Sequence, residues 1–295
     1  MTVDRWLHEP APAERLAALR ILITAFVVAY LVANVFEFSR LANRPTSEFE
    51  PVGIATILDQ PLGSRVWLLF GASILAGVAA LIGFAFRFTG PLFAGLVLVW
   101  ASYHSSWGQM LHFEHLFTLH LLILALSPAA DAWSVQPAES PTPSVRYGWP
   151  IRLLAITTVV SYFIAGVAKL RIGGLDWIEG STLSNHIGYS ATRMEVLGGF
   201  VPPVAPYVIG KNWLMGPMAV GGVLIELAAP LALLGGRWRR WWVVAVLTFH
   251  LATAATMMVW FPYQGLGFAL LPLFRVERLL DHVPTAVSNR VRETR

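Results

Sequence analysis

Apolar residues run along this chain in long stretches, separated by shorter polar segments. Several of these stretches approach the ~20 residues that a helix needs to cross the hydrocarbon of a bilayer. The apolar–polar alternation of a membrane-spanning strand is absent from the sequence. The pattern therefore predicts an all-α integral membrane protein, a polytopic bundle of about eight transmembrane helices.

The apolar stretches also predict where the spans begin and end, and together they form a single predicted membrane domain over residues 1–295. The predicted spans cover residues 16–36, 66–86, 92–103, 112–127, 151–170, 213–234, 241–260 and 263–274. Residues 87–91 are predicted to form a tight connection, and Pro230 to break the sixth span near its end. The 171–211 connection exceeds the roughly 15 residues above which loops in compact proteins are usually functional.

Composition agrees with a membrane protein and excludes several kinds of site. The chain is 56% hydrophobic and 13% charged, against roughly 25% charged residues in soluble domains. It has no cysteine, which excludes disulfides, thiolate metal sites and cysteine nucleophiles. The pI near 9.7 comes from arginines beside the spans rather than from a nucleic-acid surface. We expect a lipid bilayer as partner and no nucleic acid.

The arginines also predict an orientation. With the N-terminus in the cytoplasm, most of the 21 basic residues fall on the cytoplasmic side of the predicted topology. The positive-inside rule favours this arrangement. A multi-pass protein of a cell membrane with both termini cytoplasmic is therefore predicted, with the 171–211 connection on the outer, periplasmic or lumenal, face.

One lysine stands out among the basic residues. Only Lys169 and Lys211 are lysines, and all the other basic side chains are arginines. An arginine cannot give up its proton in a protein, whereas a desolvated lysine can do so and then act as a base. Lys169, at the end of the fifth predicted span, is therefore a candidate for proton chemistry. The alternative is a lysine whose long stem lets its ammonium reach the membrane interface.

Few ionisable residues fall within or beside the predicted spans. Placing a charged side chain at the centre of a membrane helix costs about 2.5–3.5 kcal/mol, so each of these residues is expected to have a compensating role. Glu226 is predicted to lie in the middle of a span among small residues, where the alternative to a functional carboxylate is a neutral, hydrogen-bonded acid that locks the bundle. For His250, the alternative to a functional histidine is a core histidine whose ring nitrogens are hydrogen-bonded. The full set comprises Glu114, His115, His120, Lys169, Glu226 and His250.

Two histidines at the start of the fourth span are spaced for one helix face. His112 and His115 are three residues apart, and His120 falls on a different face. The segment lacks the His-Glu-x-x-His spacing of metalloproteases. No metal site is expected.

The stretch from Tyr162 to Gly180 carries a resemblance to a known family. It reads Tyr-Phe-Ile-Ala-Gly-Val-Ala-Lys-Leu and, after an insertion at residues 171–175, Asp-Trp-Ile-Glu-Gly. This resembles the lysine motif of the vitamin K-dependent gamma-glutamyl carboxylase and its bacterial relatives, a family also called HTTM, the horizontally transferred transmembrane domain. The chain looks like a short, bacterial-type member. The resemblance implies that Lys169 is the base that acts on reduced vitamin K.

Other segments extend this resemblance. Glu114-His115, a leucine-rich run and Trp133-Ser134-Val135 are similar to a carboxylase segment whose histidine lines the vitamin K site, with Glu114 in place of an asparagine. Phe249-His250 resembles a late carboxylase span that reaches the same pocket. The resemblance implies that Lys169, His115 and His250 are catalytic. The implied quinone-binding residues are His115, Tyr162, Trp177, Glu226 and His250.

The implied activity is that of a carboxylase-like membrane enzyme. It would use a reduced vitamin K or menaquinone-type quinone and oxygen to drive deprotonation and carboxylation, or a related modification, of a peptide or small substrate. We expect no counterpart of the carboxylase's large lumenal region that binds its substrate. The alternative is a non-catalytic quinone-binding protein, or a membrane partner in peptide maturation, export or immunity. A small transporter is disfavoured because the sequence shows no repeat symmetry with paired broken helices.

Overall fold

The computed structural model describes residues 3–108 and 113–280, which form helices joined by turns. The α-helices are α1 (Val3–Leu7), α2 (Ala13–Ala33), α3 (Val35–Ala42), α4 (Val66–Ile82), α5 (Phe86–His104), α6 (Phe113–Ala125), α7 (Val145–Ile178), α8 (Ser181–Val196), α9 (Ala205–Val208), α10 (Asn212–Leu227), α11 (Gly236–Met257), α12 (Pro262–Gly265) and α13 (Glu277–Leu280). Short 3-10 helices occur at Thr46–Glu48, Gly53–Ile57, Gly63–Arg65, Ala229–Leu234 and Phe268–Leu273. Within this described part, the extended pairing is limited to one isolated bridge between Ala11 and Ser144. The predicted all-α class is confirmed.

Three helical segments are long and apolar enough to cross a membrane. They are Ala13–Ala33, Gly63–Ile82 and Val145–Ile178, with mean hydropathies of 2.3, 2.0 and 1.9. Phe113–Ala125 and Trp213–Leu227 are shorter apolar helices. The protein is thus an integral membrane protein by the length and composition of its helices. A total of about eight spans stays a prediction.

The connection before the third predicted span differs from the prediction. Residues 87–91 were expected to form a tight turn, but they lie in the first turns of α5, which begins at Phe86. The chain reverses earlier, at Gly83 and Ala85, whose φ angles are 73° and 45°. Gly83 ends α4 in the left-handed conformation that glycine adopts without steric cost, so the reversal lies there. Pro91 is accommodated within α5.

Three later spans also differ in extent. The fifth, predicted to end at residue 170, continues as α7 to Ile178, with a break at Gly174 (φ 52°, ψ −136°). The sixth changes from α-helix to 3-10 helix after Leu227, because Pro230 lacks an N–H and restricts the residue before it. The predicted eighth span is not a continuous α-helix, since α12 is followed by Gly267 in the left-handed region (φ 83°) and then by a 3-10 helix.

The chain forms two compact units. Among the described residues, one comprises 3–108, 121–152 and 274–280, and the other comprises 113–120 and 153–273. Each is considered separately below for its described residues.

At one end of the first unit, arginines join segments that are distant in sequence. Arg15 pairs with Glu277 in a forked contact, with Nη2 to Oε1 at 2.8 Å, and Arg152 Nη2 donates to Glu9 Oε2 at 2.8 Å. Arg20, fully buried, donates to the carbonyl oxygens of Ala129 and Trp133. The start of α2, the 128–152 region and the start of α13 therefore meet at one end of this unit.

The other end of the first unit joins a different set of segments. The backbone N–H of Glu50 donates to the carbonyl of Ser106 at 2.9 Å, and that of Val52 donates to Ser106 Oγ at 3.0 Å. The 43–65 connection therefore meets the C-terminal end of α5. The side of the membrane on which each segment lies stays a prediction.

A topology measurement tests the predicted orientation. The native chain has no cysteine, so Asn185→Cys, at an exposed position of α8, gives a single thiol. In sealed, right-side-out cells this thiol should react with a membrane-impermeant maleimide. Ser140→Cys, exposed in the 128–150 connection, is the matched control and should react only after permeabilisation. Labelling of the position-185 thiol from the cytoplasmic side alone would contradict the orientation.

The second unit has two apolar cores. The first lies between α7, α11 and the two later 3-10 helices, and includes Val159, Tyr162, Ala229, Trp242 and Leu270. In the second core, Leu183 and Ile187 of α8 pack with Val208, Met215 and Ala219. α8 and α9 lie in the 171–211 connection, which is therefore largely ordered helix.

Candidate functional site

One face of α7 carries three residues of the motif. Tyr162, Gly166 and Lys169 follow one another at intervals of four and three positions, which places them on a single side of a helix. In the second unit, Tyr162 contacts α11, while Gly166 and Lys169 contact the end of α10. The spacing of the motif is therefore the spacing of a helix face.

Lys169 and Glu226 form the central contact of this face. Lys169 Nζ lies 2.5 Å from Glu226 Oε1, and the two side chains are 23% and 5% exposed. The lysine thus turns to a buried carboxylate rather than to the protein surface. Glu226 is the penultimate residue of α10, just before the 3-10 helix that completes the predicted sixth span, and its partner is a lysine from another helix.

Gly166 explains how the two helices approach closely enough for this pair. A Cβ atom at this position would lie 3.0 Å from Glu226 Cβ and 3.1 Å from the Leu227 side chain. A larger side chain would push α7 away from the end of α10. The glycine in the motif is therefore a packing requirement of the Lys169–Glu226 contact.

Two aromatic rings flank the lysine nitrogen. Lys169 Nζ lies 5.3 Å from the ring centroid of Trp177 and 5.2 Å from that of Phe249. Both distances are within the range of cation–π attraction, which stabilises an ammonium. The helix break at Gly174 separates Lys169 from Trp177 in sequence, and the predicted insertion at residues 171–175 contains this break.

His250 lies beside the same helix face. Its Nε2 is 2.7 Å from the hydroxyl oxygen of Tyr162, and its side chain is 4% exposed. Rings of Phe249 and Phe261 contact its imidazole at centroid distances of 5.4 and 5.6 Å. The structure thus brings together Lys169, Glu226, Tyr162 and His250 as two adjacent polar pairs on α7, α10 and α11.

Two buried polar atoms of these pairs have no hydrogen-bond partner among the residues that the structure describes. They are Glu226 Oε2 and His250 Nδ1. Buried polar atoms are nearly always satisfied by protein, water or a ligand. These two atoms are therefore the polar atoms of the two pairs that are left to bind water or a ligand.

Trp242 is a site residue that the sequence did not indicate. Its indole N–H donates to the carbonyl of Ile225 at 2.9 Å, and its ring meets Tyr162 edge to face at 5.3 Å. It thereby supports both Tyr162 and the residue that precedes Glu226. As one of twelve tryptophans, and near a predicted span end, it was indistinguishable from an interfacial residue.

The predicted histidines of the fourth span fall in different environments. His115 lies in the first turn of α6 with an exposed side chain, while His120 on the same helix is fully buried. His112 is outside the described residues. The role of His115 as a quinone ligand stays a prediction.

Metal binding finds no support in the described residues. Across 3–108 and 113–280, no group of three or more His, Cys, Asp or Glu side chains is arranged to hold an ion.

The long apolar helices and the contact between Lys169 and Glu226 define the class of protein, a polytopic membrane protein with a lysine–glutamate pair between two of its helices. A family model described as the HTTM domain matches residues 8–277, and the chain belongs to this family. Searches of curated proteins and of solved structures found no match.

Proposed function

We propose that this protein is a carboxylase-like membrane enzyme that uses a reduced vitamin K or menaquinone-type quinone. With oxygen, the quinone would drive deprotonation and carboxylation, or a related modification, of a peptide or small substrate. The observation that carries the proposal is the Lys169–Glu226 pair, which involves the lysine that the family motif identifies as its base. Membership of the HTTM family and the motif around this lysine support the same activity.

The residues around the pair fit a hydroquinone. Such a ligand has an aromatic ring and hydroxyl groups that can both donate and accept hydrogen bonds. Trp177, Phe249 and Phe261 supply aromatic surface. Glu226 Oε2 can accept from a ligand hydroxyl, and His250 Nδ1 offers a second buried polar contact.

The Lys169–Glu226 pair would act as the base. An ammonium next to a carboxylate and an amine next to a carboxylic acid differ only in the position of one shared proton. In the second form the neutral amine of Lys169 can accept one further proton, after which both groups are protonated. The pair can therefore take a proton from a ligand hydroxyl, and the charge that results is stabilised by the rings of Trp177 and Phe249.

His250 and Tyr162 would hold the ligand rather than move the first proton. The Tyr162 hydroxyl fixes the imidazole through Nε2, so that Nδ1 can meet a ligand oxygen in a fixed direction. Once bound, a reduced quinone supplies the reaction with oxygen that produces a base strong enough for a carbon acid. Placement of the site near the outer face follows from the predicted orientation and belongs to the same proposal.

Mass spectrometry of retained lipids tests the proposal directly. Protein purified after mild detergent extraction should carry a quinone, and the amount should fall in His250→Ala, which removes a proposed contact. His8→Ala, at an exposed histidine just after α1, is the matched control and should retain as much quinone as the unaltered protein. Protein free of quinone, and unable to bind added menaquinone, would contradict the proposed function.

A further inference from the structure

A second histidine–tyrosine pair lies in the same unit and takes no part in the proposed reaction. His120 Nδ1 is 2.6 Å from the hydroxyl oxygen of Tyr263, and His120 Nε2 is 3.2 Å from Thr158 Oγ1. Thr158 Oγ1 in turn donates to the carbonyl of Ala269 at 2.7 Å. His120, Thr158 and Tyr263 are each 3% exposed or less.

The directions of these hydrogen bonds follow from their chemistry. A carbonyl can only accept, so the single hydroxyl proton of Thr158 goes to Ala269, or to Leu154 of its own helix at 3.2 Å. Thr158 Oγ1 therefore accepts from His120, which places a proton on Nε2. A buried imidazole flanked by two hydroxyls is most stable as the neutral form, so Nδ1 accepts from the Tyr263 hydroxyl.

This chain of hydrogen bonds holds groups in place and does not conduct protons. It runs from Tyr263 through His120 and Thr158 and ends at the carbonyl of Ala269. A backbone carbonyl has no proton to pass on. The chain instead joins α6 and α7 to the segment that contains α12 and the 3-10 helix at Phe268–Leu273.

The segment that the chain holds also forms one wall of the candidate site. Phe261, two residues before Tyr263, contacts the His250 ring at 5.6 Å and the Phe113 ring at 6.2 Å. The turn between them is tight, since the N–H of Gly265 donates to the carbonyl of Phe261 at 2.7 Å. A displacement of Tyr263 would therefore move Phe261 as well.

We propose that His120, oriented by Thr158, is a positioning residue that anchors Tyr263 and so sets the place of the Phe261 ring against His250. This proposal rests on the proposed function only where it concerns quinone affinity. Neither His120 nor Tyr263 needs to contact the ligand. Their effect on binding is exerted through the position of the Phe261 ring.

A fluorine label tests the position of Phe261 without any assumption about function. A single 4-fluorophenylalanine at position 261 should give a 19F resonance that shifts or broadens in Tyr263→Phe, which removes only the hydroxyl. Thr158→Val should shift it in the same direction by a smaller amount, and it provides the test if Tyr263→Phe does not fold. Tyr207→Phe makes the same chemical change at an exposed residue and should leave the resonance unchanged.

Menaquinone titration of the same proteins tests the consequence for the site. Tyr263→Phe removes the buried hydrogen bond to His120 and should raise the Kd for menaquinone roughly tenfold. Tyr207→Phe should leave this Kd unchanged. An unchanged 19F resonance in both Tyr263→Phe and Thr158→Val would overturn the positioning role. A shifted resonance with an unchanged Kd would overturn its link to the site. If the unaltered protein binds no menaquinone, the proposed function fails, while the resonance still decides the positioning role.

Discussion

Lys169→Arg should lower hydroquinone-dependent oxygen uptake by about a hundredfold to ten-thousandfold, the usual loss when a general base is removed. Arginine keeps the positive charge and can still pair with Glu226, but its guanidinium cannot give up its proton. The shared proton of the pair would then be fixed on residue 169. Oxygen consumption by the purified variant, with a menahydroquinone as electron donor, measures the effect.

The chain offers a matched control for this change. Lys211 is the other lysine and its side chain is exposed, so Lys211→Arg should leave oxygen uptake unchanged. Lys169→Met removes charge and base together and should be at least as impaired as Lys169→Arg. Near-normal uptake by the arginine variant, with loss only in the methionine variant, would show that Lys169 acts as a fixed charge and not in proton transfer.

Glu226→Gln should still fold, but its hydroquinone-dependent oxygen uptake should fall about a hundredfold. The amide has the size of the acid and can still hydrogen-bond to Lys169, so the packing of α7 against α10 should survive. It cannot accept a proton, and it leaves the lysine as an ammonium between two aromatic rings, with no carboxylate to share its proton. Size-exclusion profile and oxygen uptake, measured on one preparation, separate the two effects.

Glu195→Gln, at an exposed position of α8, is the control for this variant and should behave as the unaltered protein. If Glu226→Gln is fully active, the carboxylate only locks the helices together. If Glu226→Gln fails to fold while Lys169→Arg folds, the contribution of Glu226 is structural, and the base role of the pair loses its support.

The sequence by itself determined the class of the protein and the identity of its most informative residue. Long apolar stretches require helices in a bilayer, because a strand cannot satisfy its backbone groups there unless it lies in a closed sheet. The rarity of lysine and the motif around Lys169 identified that side chain without knowledge of any contact. Tyr162, Glu226 and His250 were named as well, and the structure brings all three together with Lys169.

Only the tertiary structure decided how these residues are paired. Whether a buried carboxylate is a neutral acid or the partner of a cation depends on what lies across the helix interface, and no local pattern encodes that. Glu226 was expected in mid-span, but its partner was not predicted: Gly166 lets α7 approach the end of α10, so that Lys169 reaches the carboxylate. Trp242 was missed, and His120 was named without its partners, for the same reason, since their contacts involve residues that are far away in sequence. Hydrophobic pattern fixes which segments become helices, while contacts between helices fix what their few polar side chains do.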